Sequence, residues 1–176
     1  MSLELRAQRN DPARLALIAL GSNVGDSISL VRQAMQRIQT LSGTTFKESS
    51  LWESSPVDCP PGSPTFVNAA VMVEPTMDET PESLLTKLQE IEREFGRRPK
   101  KVLNEPRPLD LDLITFGSEV RSSAQLTLPH PRAHQRRFVL ELLNEIAPDL
   151  VLPGQMKPIR NLLAELVSDE TMRKLT

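Results

Sequence analysis

The sequence predicts an α+β fold built on one antiparallel sheet, and three observations carry that prediction. Short apolar runs of strand length alternate with stripes of helical spacing in the order β-α-β-β-α-β. Glycines and two proline-rich stretches separate these elements. At 176 residues the chain suits one domain, which hides roughly 70% of the surface its unfolded form exposes.

Residues 1–14 read as a mobile N-terminal extension and residues 15–176 as a single domain. Leu15–Leu20 is an apolar run stopped by Gly21-Ser22-Asn23, and so a buried strand. Asp26 is placed to cap a helix in which Ile28, Val31, Met35, Ile38 and Leu41 recur at helical spacing, up to Gly43. Thr44–Glu53, rich in β-branched and aromatic residues, reads as a strand, and Phe66–Glu74 as another. Thr80 fits an N-cap, Pro81 the first helical position and Glu82 the positive end of the dipole. Leu84, Leu85, Leu88, Ile91 and Phe95 form the stripe of that second helix, which Gly96 ends. Leu109–Phe116 is a strand closed by Gly117. This order is the split β-α-β, ferredoxin-like arrangement, with helices on one face of the sheet. A C-terminal helical extension follows, with a helix near Arg137–Ile146, a short strand near Leu150–Leu152 and a helix near Ile159–Val167.

Composition excludes several classes of function. With 21 basic and 23 acidic residues the net charge is -2, which argues against a surface that coats nucleic acid or anionic lipid. One cysteine, Cys59, cannot form an internal disulfide or a Cys-rich zinc site, and two histidines do not suit a His-rich one. No apolar run approaches a membrane span, and the polar N-terminus lacks the apolar stretch of a signal peptide. A cytoplasmic monomer is expected. Proline, at 15 of 176, is enriched over the average of about 5%. Seven prolines fall in Ser55–Thr65 and Arg97–Pro108, which marks both as long ordered loops. Basic residues crowd two windows, Arg93–Arg107 and Arg132–Arg137, as a solvated face or as part of a site.

The most informative stretch is Leu109-Asp110-Leu111-Asp112-Leu113. On a strand the three leucines face the core, and the two aspartates share the other face with Cβ atoms roughly 6–7 Å apart. Their mutual repulsion is relieved by a hard cation, for which Mg²⁺ is suited. The alternative is an ordinary polar strand face, although aspartate is depleted in strands. Arg97 and Arg107 bracket the loop before this strand. Carboxylates for Mg²⁺ beside guanidinium groups for phosphate oxygens are what phosphoryl transfer requires. There is no GxxxxGK[ST] loop, and Gly21–Gly25 reads as a strand-to-helix turn. Phe66 and Phe138 could grip a flat heteroaromatic ring or simply fill the core. Asn68, in an apolar strand, needs hydrogen-bond partners and suits a heterocycle edge. His130 reads equally as structural or as a ligand contact.

Several motifs occur together and in order: Gly21-Ser22-Asn23, Phe66–Val71, Gly96-Arg97, Pro106-Arg107-Pro108-Leu109-Asp110-Leu111-Asp112, Pro129-His130-Pro131-Arg132 and Arg136-Arg137-Phe138. Through them the chain resembles the 6-hydroxymethyl-7,8-dihydropterin pyrophosphokinase family of folate biosynthesis, over about Leu15 to Leu166. The resemblance implies transfer of pyrophosphate from ATP to the pterin hydroxymethyl group, with release of AMP. It implies that Asp110 and Asp112 hold two Mg²⁺ ions and that Arg97 and Arg107 serve the transferring group. Phe66 and Phe138 become a pterin sandwich, Asn68 reads the pterin edge, and Ser54 and Val57 contact it. Gln89, Glu92, Lys100, Leu113, Thr127, His130 and Arg136 fall around the nucleotide. The sequence departs from the family pattern at Asn104, where many members carry tryptophan, and at Pro99 and Gln125, where arginine is common.

A ferredoxin-like nucleic-acid module is the competing reading. It stacks bases on sheet aromatics, and here tyrosine is absent and no strand carries the needed aromatic pair. A catalytically dead family domain is disfavoured because both aspartates and both arginines are present. On stiffness, Arg107, between two prolines, is expected to be preorganised, whereas Arg97 is expected to reach the phosphates only after its loop closes.

Overall fold

A computed structural model describes residues 14–175, so the expected N-terminal extension lies outside the described residues except for Arg14. The centre of the sheet is β1 (Ala16–Ser22), buried at all seven positions. A turn leads into α1 (Ser27–Gln39), where the Asp26 carboxylate accepts the Ser29 N–H as a cap. The predicted strand over Thr44–Glu53 is instead two short strands, β2 (Phe46–Glu48) and β3 (Trp52–Ser54). Both pair with β4 (Phe66–Val73). Between them, three residues, Ser49 to Leu51, face only Ala69 and Ala70, which is a bulge. The Ser49 hydroxyl accepts the Ala70 N–H at 2.8 Å, so the break leaves that donor paired.

Helix α2 (Pro81–Glu94) begins at Thr80 with a reciprocal capping box to Ser83. Strand β5 (Asp110–Phe116) then lies beside β1. A small hairpin, β6 (Arg121–Ser122) and β7 (Thr127–Leu128), leads to α3 (Arg137–Ile146), α4 (Ile159–Glu165) and a last strand, β8 (Met172–Lys174). The sheet order is β5-β1-β4-β3-β8, with β2 also on β4 and all neighbours antiparallel.

Helices cover both faces of the sheet, not one. Ile18, Leu20, Val71 and Leu113 pack with Val31, Ile38, Leu84 and Leu88 of α1 and α2. Leu17, Ala19, Met72 and Ile114 pack with Leu140 and Leu143 of α3 and Ile159 of α4. The physical reason lies in β1 and β4, which are apolar at nearly every position and so bury both faces. No strand forms at Leu150–Leu152; Leu152 is buried in the second core instead. Strand β8 was not anticipated.

Candidate active site

The sheet's pairing register builds the floor of a cavity at one end of the molecule. Asp110 stands opposite Gly21, Gly21 opposite Asn68, and Asn68 opposite Trp52. Asp112 stands opposite Ala19. Cross-strand partners share a face, so both carboxylates and the Asn68 amide point to one side, above small residues. Leu109, Leu111 and Leu113 point into the first core, as expected. A cavity of about 190 Å³ lies over this floor. Three stretches of chain contribute to its lining: Ser54, Val57 and Phe66 from the first, Lys100, Asn104 and Arg107 from the second, and His130, Arg136 and Phe138 from the third.

Gly21 carries more than a turn. A Cβ there would sit 3.4 Å from both Asn68 Oδ1 and the Phe66 ring, so a side chain would intrude between the floor and the wall. Asn23 also does more than its turn position indicates. Its Oδ1 accepts the Arg107 N–H at 2.8 Å, and its N–H donates to the Arg107 carbonyl at 3.2 Å. Arg107 is thus clamped at both backbone groups, in keeping with the stiffness its flanking prolines predict. Its Nη2 lies 3.4 Å from Asp110 Oδ2, and its Nε is buried without a partner.

Arg97, expected to reach the phosphates only after its loop closes, is held against the start of β5 in this structure. Its Nη1 already donates to Asp110 Oδ1 at 2.8 Å and to the Leu109 carbonyl at 3.0 Å, with Glu92 at 3.6 Å. Glycine at position 96 makes a helix end, but the arginine after it is tethered to the strand it faces. Burial works against its charge, yet the hydrogen bond and charge of Asp110 outweigh burial and raise its pKa above the ordinary value. Glu92 accepts the Leu111 N–H at 2.8 Å, and burial pushes its carboxyl up.

Burial first, and the Asp110 charge second, push the Asp112 carboxyl up to about 7. The unfolded carboxyl titrates near 3.9. Folding therefore favours the protonated form, and the stability it gives is lost as pH rises from about 4 to about 7, by at most about 4 kcal/mol. Asp112→Asn cannot ionise. Its melting temperature in EDTA should exceed that of wild type by several degrees at pH 8, with a smaller gain at pH 5. Equal gains at the two pH values would contradict the assignment.

The two aromatic side chains stand half-buried at the cavity walls, each with an arginine over its ring. Arg107 Cζ is 5.6 Å from the Phe66 centroid, and Arg136 Cζ 5.7 Å from that of Phe138. Phe138 also packs against the second core, so the core and wall readings hold together for that residue. Asn68 is buried, and its amide donates to Ser54 Oγ at 2.7 Å. His130 is fixed beside β5 by its N–H to the Ile114 carbonyl, and burial and Arg136 lower its pKa. Gln89 and Thr127 are exposed and Leu113 is in the core; none of the three lines the cavity. Asn104 donates to the Asp58 carbonyl at 2.7 Å, which joins the two proline-rich loops where the family pattern places tryptophan. Pro99 lines a second hollow with Arg97, and Gln125 is exposed in the hairpin turn.

Two carboxylates on one strand face form a hard-oxygen donor set that suits Mg²⁺, which takes one or two carboxylates and completes its shell with phosphates and water. Among the described residues there is no cluster of three or more His, Cys, Asp or Glu side chains that would cage a metal unaided.

Two carboxylates on one strand face, guanidinium groups turned toward them and an adjoining ring-walled cavity are the parts that phosphoryl transfer uses, the chemistry of the kinase-type transferases. The chain belongs to the family described as 7,8-dihydro-6-hydroxymethylpterin-pyrophosphokinase (HPPK), whose model matches residues 17–148. A Haemophilus influenzae protein named 2-amino-4-hydroxy-6-hydroxymethyldihydropteridine pyrophosphokinase is 39% identical over 164 residues, 91% of this chain and 97% of that one. The Bacillus subtilis protein of the same name is 41% identical over 133 residues, 75% of this chain and 77% of its own. Among solved structures, wild-type Plasmodium falciparum HPPK-DHPS with pteroate superposes with a TM-score of 0.67 over 86% of this chain, at 13% identity. That likeness concerns the fold, and this chain spans 44% of the longer one. The protein is a transferase, a pyrophosphokinase of folate biosynthesis.

Proposed function

We propose that the protein transfers pyrophosphate from ATP to the hydroxymethyl group of 6-hydroxymethyl-7,8-dihydropterin. The pterin hydroxyl oxygen attacks the β-phosphorus, the bond between that phosphorus and the α-phosphate oxygen breaks, and AMP leaves while the hydroxyl gives up its proton. The observation that carries this reading is the juxtaposition of Asp110 and Asp112 with a cavity walled by Phe66 and Phe138. The two walls suit a flat heterocycle, and the buried Asn68 amide faces its edge. Asp110 and Asp112 are the residues to hold two Mg²⁺ ions, which when bound would offset the charge of the phosphates. Arg97 and Arg107 flank the same carboxylates and supply fixed positive charge for the transferring group. Lys100, His130 and Arg136 also line the cavity and are the groups we assign to the nucleotide and its phosphates. The strand order supports a ferredoxin-like description of the sheet.

The test follows the products. Chromatography should show AMP, and neither ADP nor free phosphate, in amounts equal to the pterin pyrophosphate formed. AMP should vanish when the pterin is omitted or when EDTA removes divalent cations. ADP as the nucleotide product would contradict the proposal.

A further inference from the structure

The segment from Ser168 to Leu175 follows the residues matched by the family model and places no side chain in the cavity. It nevertheless ties two of the cavity's walls together. In the sheet, Phe66 pairs with Ser54, and Ser54 pairs with Met172 of β8. One step along, the Ser55 N–H donates to the Thr171 carbonyl at 3.1 Å, and the Thr171 N–H donates to the Ser55 hydroxyl at 3.2 Å. At the next residue the Glu170 carboxylate accepts the Phe138 N–H at 2.9 Å. The connection from one aromatic wall to the other thus runs through adjacent strand pairings, the Ser55 hydroxyl among them, and closes on the side chain of Glu170.

That side chain meets a specific need. Phe138 lies in the first turn of α3, whose N-terminal N–H groups have no intrahelical acceptor. The N-cap residue, Arg136, supplies no side-chain cap, and the first turn of α3 holds no acid. A carboxylate is favoured at this end of a helix by hydrogen bonding and by the helix dipole. Glu170 reaches it from 32 residues away. Its own N–H donates to Ser168 Oγ at 3.1 Å, which fixes the turn that presents the carboxylate.

We propose that Glu170 is a positioning residue for the flat substrate: it straps the start of α3 to the Ser54–Ser55 wall and so sets the spacing of Phe138 from Phe66. The proposal rests on the pterin reading of that cavity. It is tested by direct binding of the hydroxymethyl pterin and, separately, of MgATP to wild type, Glu170→Gln, Glu170→Ala, Phe138→Ala and a chain ending at Val167, with thermal melts of each. Glu170→Ala should weaken pterin binding by about three- to tenfold with MgATP affinity unchanged, and Glu170→Gln by less, because its amide oxygen still accepts a hydrogen bond. The shortened chain should match or exceed the Glu170→Ala loss. Steady-state kinetics should show the change in pterin KM with little change in kcat. A stabilising role alone would lower the melting temperature and leave pterin affinity as in wild type, and that result in both Glu170 variants, beside a weakened Phe138→Ala, overturns the strap alone. Equal weakening of pterin and MgATP overturns it too. A wild-type protein that binds no pterin, or a Phe138→Ala variant that binds it like wild type, overturns the cavity reading and the strap with it.

Discussion

Asp110→Ala and Asp112→Ala are each expected to lower turnover by about 10³-fold or more, while circular dichroism and thermal melts report an intact fold. The two faces of β5 are separable. Leu109, Leu111 and Leu113 hold the strand in the first core, and the aspartates face the cavity. Removing a carboxylate therefore costs no packing, and removing Asp112 relieves the repulsion that pushes its carboxyl up to about 7. In the proposed reaction, loss of either carboxylate would remove a ligand of the cations that offset the charge of the triphosphate. The variants should still bind pterin, since the rings and Asn68 are untouched. A double alanine variant with wild-type turnover would remove the carboxylate pair from the mechanism.

Arg97→Ala and Arg107→Ala should each slow the chemical step by about 10²–10³-fold, the loss of one preorganised charge of roughly 2–4 kcal/mol. They should differ in binding. Arg107 stands over the Phe66 ring, so its loss should also weaken pterin severalfold. Arg97 touches neither ring, and pterin affinity should be unchanged without it. Arg97 holds Asp110 at 2.8 Å, so its removal leaves that carboxylate unpositioned and takes a fixed positive charge from beside the proposed phosphate site. MgATP binding should therefore weaken along with the chemistry, whereas a late-arriving arginine would have affected the chemistry alone. Single-turnover rates and nucleotide affinities measured separately decide the matter, and wild-type MgATP affinity in Arg97→Ala would restore the late-arrival picture.

Much of the architecture is local and was therefore legible in the chain. Asp26 and Thr80 cap the helices they precede, because a cap acts within three residues of itself. The alternation in Leu109–Leu113 orients two aspartates together because strand geometry has a period of two. The helix over Arg137–Ile146 follows from its apolar spacing. The family motifs pointed to many of the residues that the structure gathers around one cavity, although Gln89, Glu92, Arg97, Leu113 and Thr127 do not line it.

What only the tertiary structure decided involves partners far apart in the chain. Asn23 clamps Arg107 across 84 positions, and Glu170 caps Phe138 across 32. Neither contact leaves a periodic trace. Gly21 reads as a turn residue until the register sets it between Asp110 and Asn68. Arg97 reads as mobile until the fold brings Asp110 and the Leu109 carbonyl within reach. Strand β8, three residues reading Met-Arg-Lys, has no apolar face to announce it and exists because the edge of β3 offers unpaired backbone groups. Helix faces, caps and strand alternation depend on neighbours within a turn or two and are written in order along the sequence. Register, edge pairing and the setting of charged side chains depend on which distant backbone groups the folded sheet leaves to be satisfied.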